Sequence, residues 1–306
     1  MRAPTEHDAL VVQKIRVRSD DGAESDATVF LDGSSAPRAL VVCTSAMGVA
    51  ASYYEGLASE LARRGLGVVT AESRGIGSSS VRVRRGIDFG YHELVEHDLA
   101  AVIASVRDLY PSARLVLLGH SLGGHVSAMH ASLRPGGFAG LVFVAAGTPY
   151  FKGWKFPQSL GMLVAAQLAR NVSRLLGYFP GRAFRFGGTE ARQLMLEWSV
   201  LATRGRFEVR NSEHDFEKTL SVLDLPVLAL SIEGDAFAPG GAVEHLLGKM
   251  PLARITHRRL QAQDLGARSV DHFRWARHPA PVAELIAGWM AGLPGWPSAA
   301  GAGGSA

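Results

Sequence analysis

Ser121 stands in Gly119-His120-Ser121-Leu122-Gly123, a Gly-x-Ser-x-Gly run entered from the apolar stretch Arg114-Leu115-Val116-Leu117-Leu118. A serine hydroxyl is a poor nucleophile, so chemistry at this residue needs a base within hydrogen-bond reach and an acid that orients the base. Histidine is the side chain suited to that task near neutral pH. His257, His272 and His278 lie downstream, with Glu233, Asp235 and Asp264 as acids that could partner them. The pattern suits a buried strand that ends in a sharp turn, with the serine at its tip and a helix starting at Leu122. Side chains two residues either side of the serine would collide in that turn, and glycine leaves the room. The chain holds 35 glycines, and at that density such a pentapeptide arises by chance about a third of a time. The flanking strand and helix patterns therefore carry the weight.

Those elements recur along the chain. Val11 to Arg18 and Ala27 to Leu31 read as an opening β-hairpin. Buried strands follow at Ala39 to Cys43, Gly67 to Ala71, Arg114 to Leu118, Gly140 to Gly147 and Pro226 to Asp235, with a further strand at Arg254 to Leu260. Helical stripes fill the gaps: Tyr53 to Arg64, closed by Gly65; Tyr91 to Tyr110, closed by Pro111; Leu122 to Leu133; and a last one from Pro279. Alternating strands and helices predict a mostly parallel, doubly wound sheet. From 148 to 223 the alternation breaks, and this aromatic-rich segment carries two helical patterns, near Leu160 to Leu176 and Thr189 to Thr203.

The elbow within this frame resembles the α/β-hydrolase superfamily, in its serine-aminopeptidase-like branch of predicted hydrolases and esterases. The resemblance implies an eight-stranded sheet, with core segments 1–147 and 224–292 and an inserted helical cap at 148–223, and the Gly-, Ala-, Ser- and Pro-rich composition of 293–306 predicts a disordered tail. It implies a catalytic triad of Ser121, Asp235 and His272, because Asp235 ends a strand in Gly234-Asp235 and the histidine of this fold follows the last strand. His125, one turn into the helix after the elbow, is read as a packing residue. The loop after the third strand, Thr44-Ser45-Ala46-Met47-Gly48, lacks the usual His-Gly pair. Its expected contribution to an oxyanion hole is the amide of Met47, with Ala46 as the alternative and the amide of Leu122 as the second donor. Glu72-Ser73-Arg74-Gly75-Ile76-Gly77-Ser78 resembles the superfamily's Asp-x-Arg-Gly-x-Gly-x-Ser turn, where Arg74 is expected to tie loop carbonyls together. The activity implied is hydrolysis of a carboxylic ester of a small-molecule acyl substrate with an apolar part. An acyltransferase or thioesterase would use the same triad, and a non-catalytic binding protein could keep the fold. Met162 and Met195 are candidates to line an acyl pocket.

Composition narrows the rest. A chain of 306 residues, 47% hydrophobic, can bury one large core. The formal charge of +4 is scattered, densest at Arg82, Arg84 and Arg85, with no aromatic-interleaved basic patch. This argues against a nucleic-acid partner. Cys43 is the only cysteine, so no disulfide can form within the chain, which fits a cytoplasmic protein. Met1 to Glu6 lacks a secretory pattern, and no long uncharged run suggests a membrane partner. His92 and His97, five apart, make a poor metal pair on an α-helix. No metal or organic cofactor is expected, and the oligomeric state is left open.

Overall fold

A computed structural model describes residues 10–33 and 36–296. The segment read for a secretory signal, and residues 297–306 of the expected tail, lie outside the described residues. The chain opens with β1 (Leu10–Arg18) and β2 (Glu24–Asp32), then β3 (Ala39–Thr44), α1 (Glu55–Ala62) and β4 (Gly67–Ala71). It continues through α2 (Leu99–Leu109), β5 (Arg114–His120), α3 (Leu122–Ser132) and β6 (Gly140–Val144). Next come α4 (Gln158–Leu176), β7 (Tyr178–Pro180), β8 (Thr189–Ala191), α5 (Arg192–Arg204) and α6 (Phe216–Ser221). β9 (Pro226–Ile232), α7 (Gly240–Leu247), β10 (Arg254–Leu260) and α8 (Pro279–Ala291) complete it.

Eight strands form one sheet in the order β1-β2-β4-β3-β5-β6-β9-β10, in which β2 runs antiparallel to both neighbours and all later pairs are parallel. This is the mostly parallel architecture expected. Side chains alternate across a pleated strand, and the two faces separate cleanly. Leu115, Leu117, Leu141, Phe143, Val227 and Ala229 meet α2, α3 and α7 on one side. Val116, Leu118, Val142, Val144, Leu228 and Leu230 meet α1 and α8 on the other. Cys43 is buried in the second layer, where burial pushes its thiol pKa far up and leaves it an apolar packing group.

Between β6 and β9 lies the insertion. Its small core of Ala166, Ala169, Phe179, Met195, Trp198 and Ala202 joins α4, β7 and α5. The opposite face of α5, through Leu194 and Leu201, together with Phe216 and Leu220 of α6, belongs to the main core. Met195 is fully buried in the insertion's own packing. The outward face of α4 leaves Leu160, Val164 and Leu168 exposed beside Phe156. Past α8, Leu293 is buried and Trp296 lies under the Arg114 guanidinium, so the expected tail starts with packed residues. Among the described residues, no helix is long and apolar enough to cross a membrane.

Two local readings need correction. The stripe over 91–110 is not uniformly α-helical: Glu93–Asp98 is a π-helix that runs into α2. Arg74 does not tie loop carbonyls. Its guanidinium is largely buried and pairs with Asp21 at 2.7 Å and Asp98 at 2.6 Å. A buried cation needs carboxylates rather than neutral carbonyls to offset its desolvation, and the β1–β2 turn and the π-helix supply them. Arg82 is the arginine that reaches the loop, donating to the carbonyls of Gly77, Ser79 and Val81.

Candidate active site

The C-terminal ends of the parallel strands share one edge, where ligands bind in open α/β sheets. Ser121 leaves β5 there with φ 53° and ψ −117°. That positive φ is strained for a serine, and the neighbouring glycines make it attainable. A Cβ on Gly119 would lie 2.4 Å from the Gly123 backbone, and one on Gly123 would lie 2.3 Å from the Thr44 carbonyl oxygen. Thr44, the last residue of β3, donates its hydroxyl to the Gly123 carbonyl at 2.9 Å and so pins the turn from the adjacent strand.

His272, on the loop after β10, places Nε2 2.9 Å from Ser121 Oγ. Its Nδ1 lies 2.8 Å from Asp235 Oδ2. The other Asp235 oxygen accepts the amides of Phe237 at 2.8 Å and Ala238 at 3.0 Å. The carboxylate is thus held by two backbone donors and presents its remaining oxygen to the imidazole. Asp235 and His272 are buried, while Ser121 is partly open. The competing residues lie apart. Glu233 is exposed beside Arg259, Asp264 caps the Gln261 amide, His257 bonds Ser231, and His278 precedes α8. His125 is committed at both nitrogens, accepting from the Tyr91 hydroxyl and donating to the Gly147 carbonyl, and burial pushes its pKa down to about 4. Neither nitrogen faces Ser121, so the ring serves packing rather than the serine.

Of the two loop amides considered, that of Ala46 donates to the Tyr54 hydroxyl at 2.9 Å. The Met47 amide has no protein acceptor among the described residues, and the Leu122 amide is the first of α3, with no acceptor in its own helix. Both residues line the cavity that holds Ser121 and His272.

Sequence reasoning missed the support beneath these groups. His120 is fully buried, with Nδ1 2.8 Å from the Tyr54 hydroxyl and Nε2 2.9 Å from the His272 carbonyl. The carbonyl can only accept, so Nε2 carries the proton and Nδ1 accepts from Tyr54, whose oxygen accepts from Ala46. Burial holds His120 well below the usual histidine range, keeping it neutral. One chain of hydrogen bonds therefore links the loop of Met47 to the backbone of His272. Its members come from four separate segments, so no local motif announces it. Tyr54→Phe is expected to leave the Ala46 amide and His120 Nδ1 without partners and to cost about 2 kcal/mol of stability. Urea unfolding checks this, and an unchanged midpoint would dismiss the network as incidental.

The cavity above Ser121 is roofed by the insertion and bordered by Met162, Phe186, Trp198, Phe237 and Phe273. A second, mainly apolar chamber adjoins it behind Met47 and Leu122, lined by Phe89, Leu94, Leu99, Val102, Val126 and Leu194. The Ser45 hydroxyl, buried on that side, has no hydrogen-bond partner among the described residues.

A serine on a strained strand-to-helix turn, under an insertion at the edge of an eight-stranded mostly parallel sheet, defines an α/β-hydrolase. Residues 35–187 match the family described as serine aminopeptidase, S33, and the chain belongs to that family. Human monoglyceride lipase is 32% identical over 109 residues, which are 36% of this chain and 35% of the relative. A monoglyceride lipase homologue of monkeypox virus is 27% identical over 111 residues, 36% of this chain and 38% of the relative. The chain thus spans little more than a third of the length of these curated relatives. Among solved structures, DcsB in complex with its substrate analogue matches with a TM-score of 0.60 at 17% identity, covering 91% of this chain and 98% of that one. An esterase of Pyrococcus furiosus matches with a TM-score of 0.60 at 13% identity, covering 94% and 92%. At these identities the two structures speak for the fold.

Proposed function

We propose that this protein is a serine hydrolase that cleaves a carboxylic ester through an acyl-serine intermediate. The observation that carries the reading is the continuous relay from Ser121 Oγ to His272 Nε2 at 2.9 Å and from His272 Nδ1 to Asp235 at 2.8 Å. His272 takes the serine proton as Oγ attacks the ester carbonyl, and returns it to the leaving alkoxide as the carbon–oxygen bond breaks. Water, deprotonated by the same imidazole, then attacks the acyl-serine, and as the acyl–Oγ bond breaks His272 returns that proton to Ser121 Oγ and the acid is released. Asp235 keeps the Nδ1 proton in place and stabilises the imidazolium. The amides of Met47 and Leu122 receive the tetrahedral oxyanion, each worth about 3 kcal/mol of barrier.

Ester cleavage is favoured over other acyl transfers by the likeness to monoglyceride lipases and by the apolar walls around Ser121. The insertion at 148–223 acts as a cap. The substrate's apolar part fits the aromatic cavity beneath it, which Met162 but not Met195 borders, or the chamber behind Met47 and Leu122.

Labelling with a serine-reactive fluorophosphonate tests the reading. The intact protein is expected to label, with labelling lost in Ser121→Ala and sharply reduced in His272→Ala. No labelling of the folded intact chain would overturn it in favour of a ligand-binding protein on the same fold.

A further inference from the structure

The segment ahead of α2 brings together two residues that α-helical spacing would keep apart. Over Glu93–Asp98 the backbone is π-helical, a wider turn whose repeat follows i to i+5. His92 and His97 consequently meet, with their Nε2 atoms 3.1 Å apart and their rings crossed at 87°. The other nitrogen of each ring faces a carboxylate. His92 Nδ1 lies 3.0 Å from Glu96 Oε1, and His97 Nδ1 bonds Asp20. An ionised carboxylate only accepts, so each Nδ1 carries a proton, which leaves the two Nε2 atoms facing each other with room for one electron-pair acceptor, a proton or a metal ion, between them. Two lone pairs at this distance repel unless an electron-pair acceptor is shared between them.

A carboxylate on the far nitrogen is also what metal-bound histidines characteristically have, because it fixes the tautomer and raises the basicity of the ligating nitrogen. Here both rings have it. An ion about 2.1 Å from both nitrogens would see them at an angle of about 95°, close to that between neighbouring ligands in tetragonal or octahedral coordination. The histidine side chains are 19% and 23% exposed, so water can reach the ion. The nearby Asp21 and Asp98 are already taken by Arg74. His214 sits 3.8 Å from the second oxygen of Glu96.

We propose that His92 and His97 form a binding site for a divalent transition-metal ion of the Cu²⁺, Ni²⁺ or Zn²⁺ type, with Asp20 and Glu96 holding the two imidazoles. Among the described residues no group of three or more His, Cys, Asp or Glu side chains is arranged to hold a metal. The protein therefore gives two ligands and water the rest, which makes the ion exchangeable. Through Asp20, the ion braces the β1–β2 turn against the π-helix. The site stands apart from the Ser121 relay and does not depend on what that relay does.

Calorimetric titration of the intact chain with NiCl₂, ZnCl₂ and MgCl₂ tests the proposal. Ni²⁺ and Zn²⁺ are expected to bind one per chain, and Mg²⁺, which prefers oxygen ligands, not at all. Affinity is expected to weaken as pH falls, since the ion competes with protons for both Nε2 atoms. His92→Ala and His97→Ala should each weaken that binding at least tenfold. Asp20→Asn, at an exposed turn position, should weaken it about 10–100-fold. All three variants should keep fluorophosphonate labelling at Ser121. Binding that persists unchanged in both histidine variants, one-to-one Mg²⁺ binding of equal strength, or no one-to-one Ni²⁺ or Zn²⁺ binding to the intact chain would each overturn the site.

Discussion

Ser121→Ala is expected to lower kcat for any ester the protein cleaves by roughly 10⁵–10⁶-fold, with KM little changed. The size of the loss follows from the geometry. Without Oγ no acyl-enzyme can form, and His272 has only water to activate. What survives is the proposed oxyanion pair at Met47 and Leu122 and the proposed binding cavity, a residue of catalysis that other serine hydrolases also keep when the nucleophile is removed. The substitution should cost little stability. Alanine inherits the same φ of 53° that the serine already tolerates, and the lost hydroxyl is partly open to the cavity rather than sealed in the core. Steady-state kinetics on an ester panel, read beside a thermal melt, separates the outcomes. Activity within a few-fold of the intact protein would exclude an acyl-serine at this position.

The elbow was legible because its constraint is local and steric. Gly119 and Gly123 are needed for the reason read from the sequence, and the contacts their Cβ atoms would make bear this out. The sheet was legible because buried parallel strands leave long apolar runs, and each run found its place between β3 and β10. Spacing alone left three histidines and three acids open, since the residues that meet Ser121 come from loops more than a hundred positions away. The network through Ala46, Tyr54, His120 and the His272 carbonyl was invisible for the same reason. The π-helix was illegible in another way. Its apolar positions fit an α-helical stripe well enough to be read as one, and the single extra residue in the turn changes which side chains share a face. That one residue turned His92 and His97 from an unlikely pair into touching rings. Arg74 was misread because its partners lie on β1–β2 and the π-helix, far from its own turn.

Asp235→Asn is the more discriminating substitution, and its expected effect is a loss of about 10⁴-fold in kcat. The argument rests on the two amides that already hold one carboxylate oxygen. Phe237 and Ala238 donate to Oδ1, so the carbonyl oxygen of an asparagine would occupy that place and its NH₂ group would face His272 Nδ1. An NH₂ group donates, which forces Nδ1 to become the acceptor and moves the ring proton to Nε2. The nitrogen 2.9 Å from Ser121 would then offer a hydrogen where it must accept one, with every heavy atom still in place. KM should change little, because Asp235 is not among the residues that line the proposed substrate cavity. Fluorophosphonate labelling should slow in step with kcat, because both need the serine proton removed. If Asp235→Asn kept activity within tenfold while Ser121→Ala abolished it, the serine would be activated by something other than an oriented His272, and the relay would have to be redrawn around a different base.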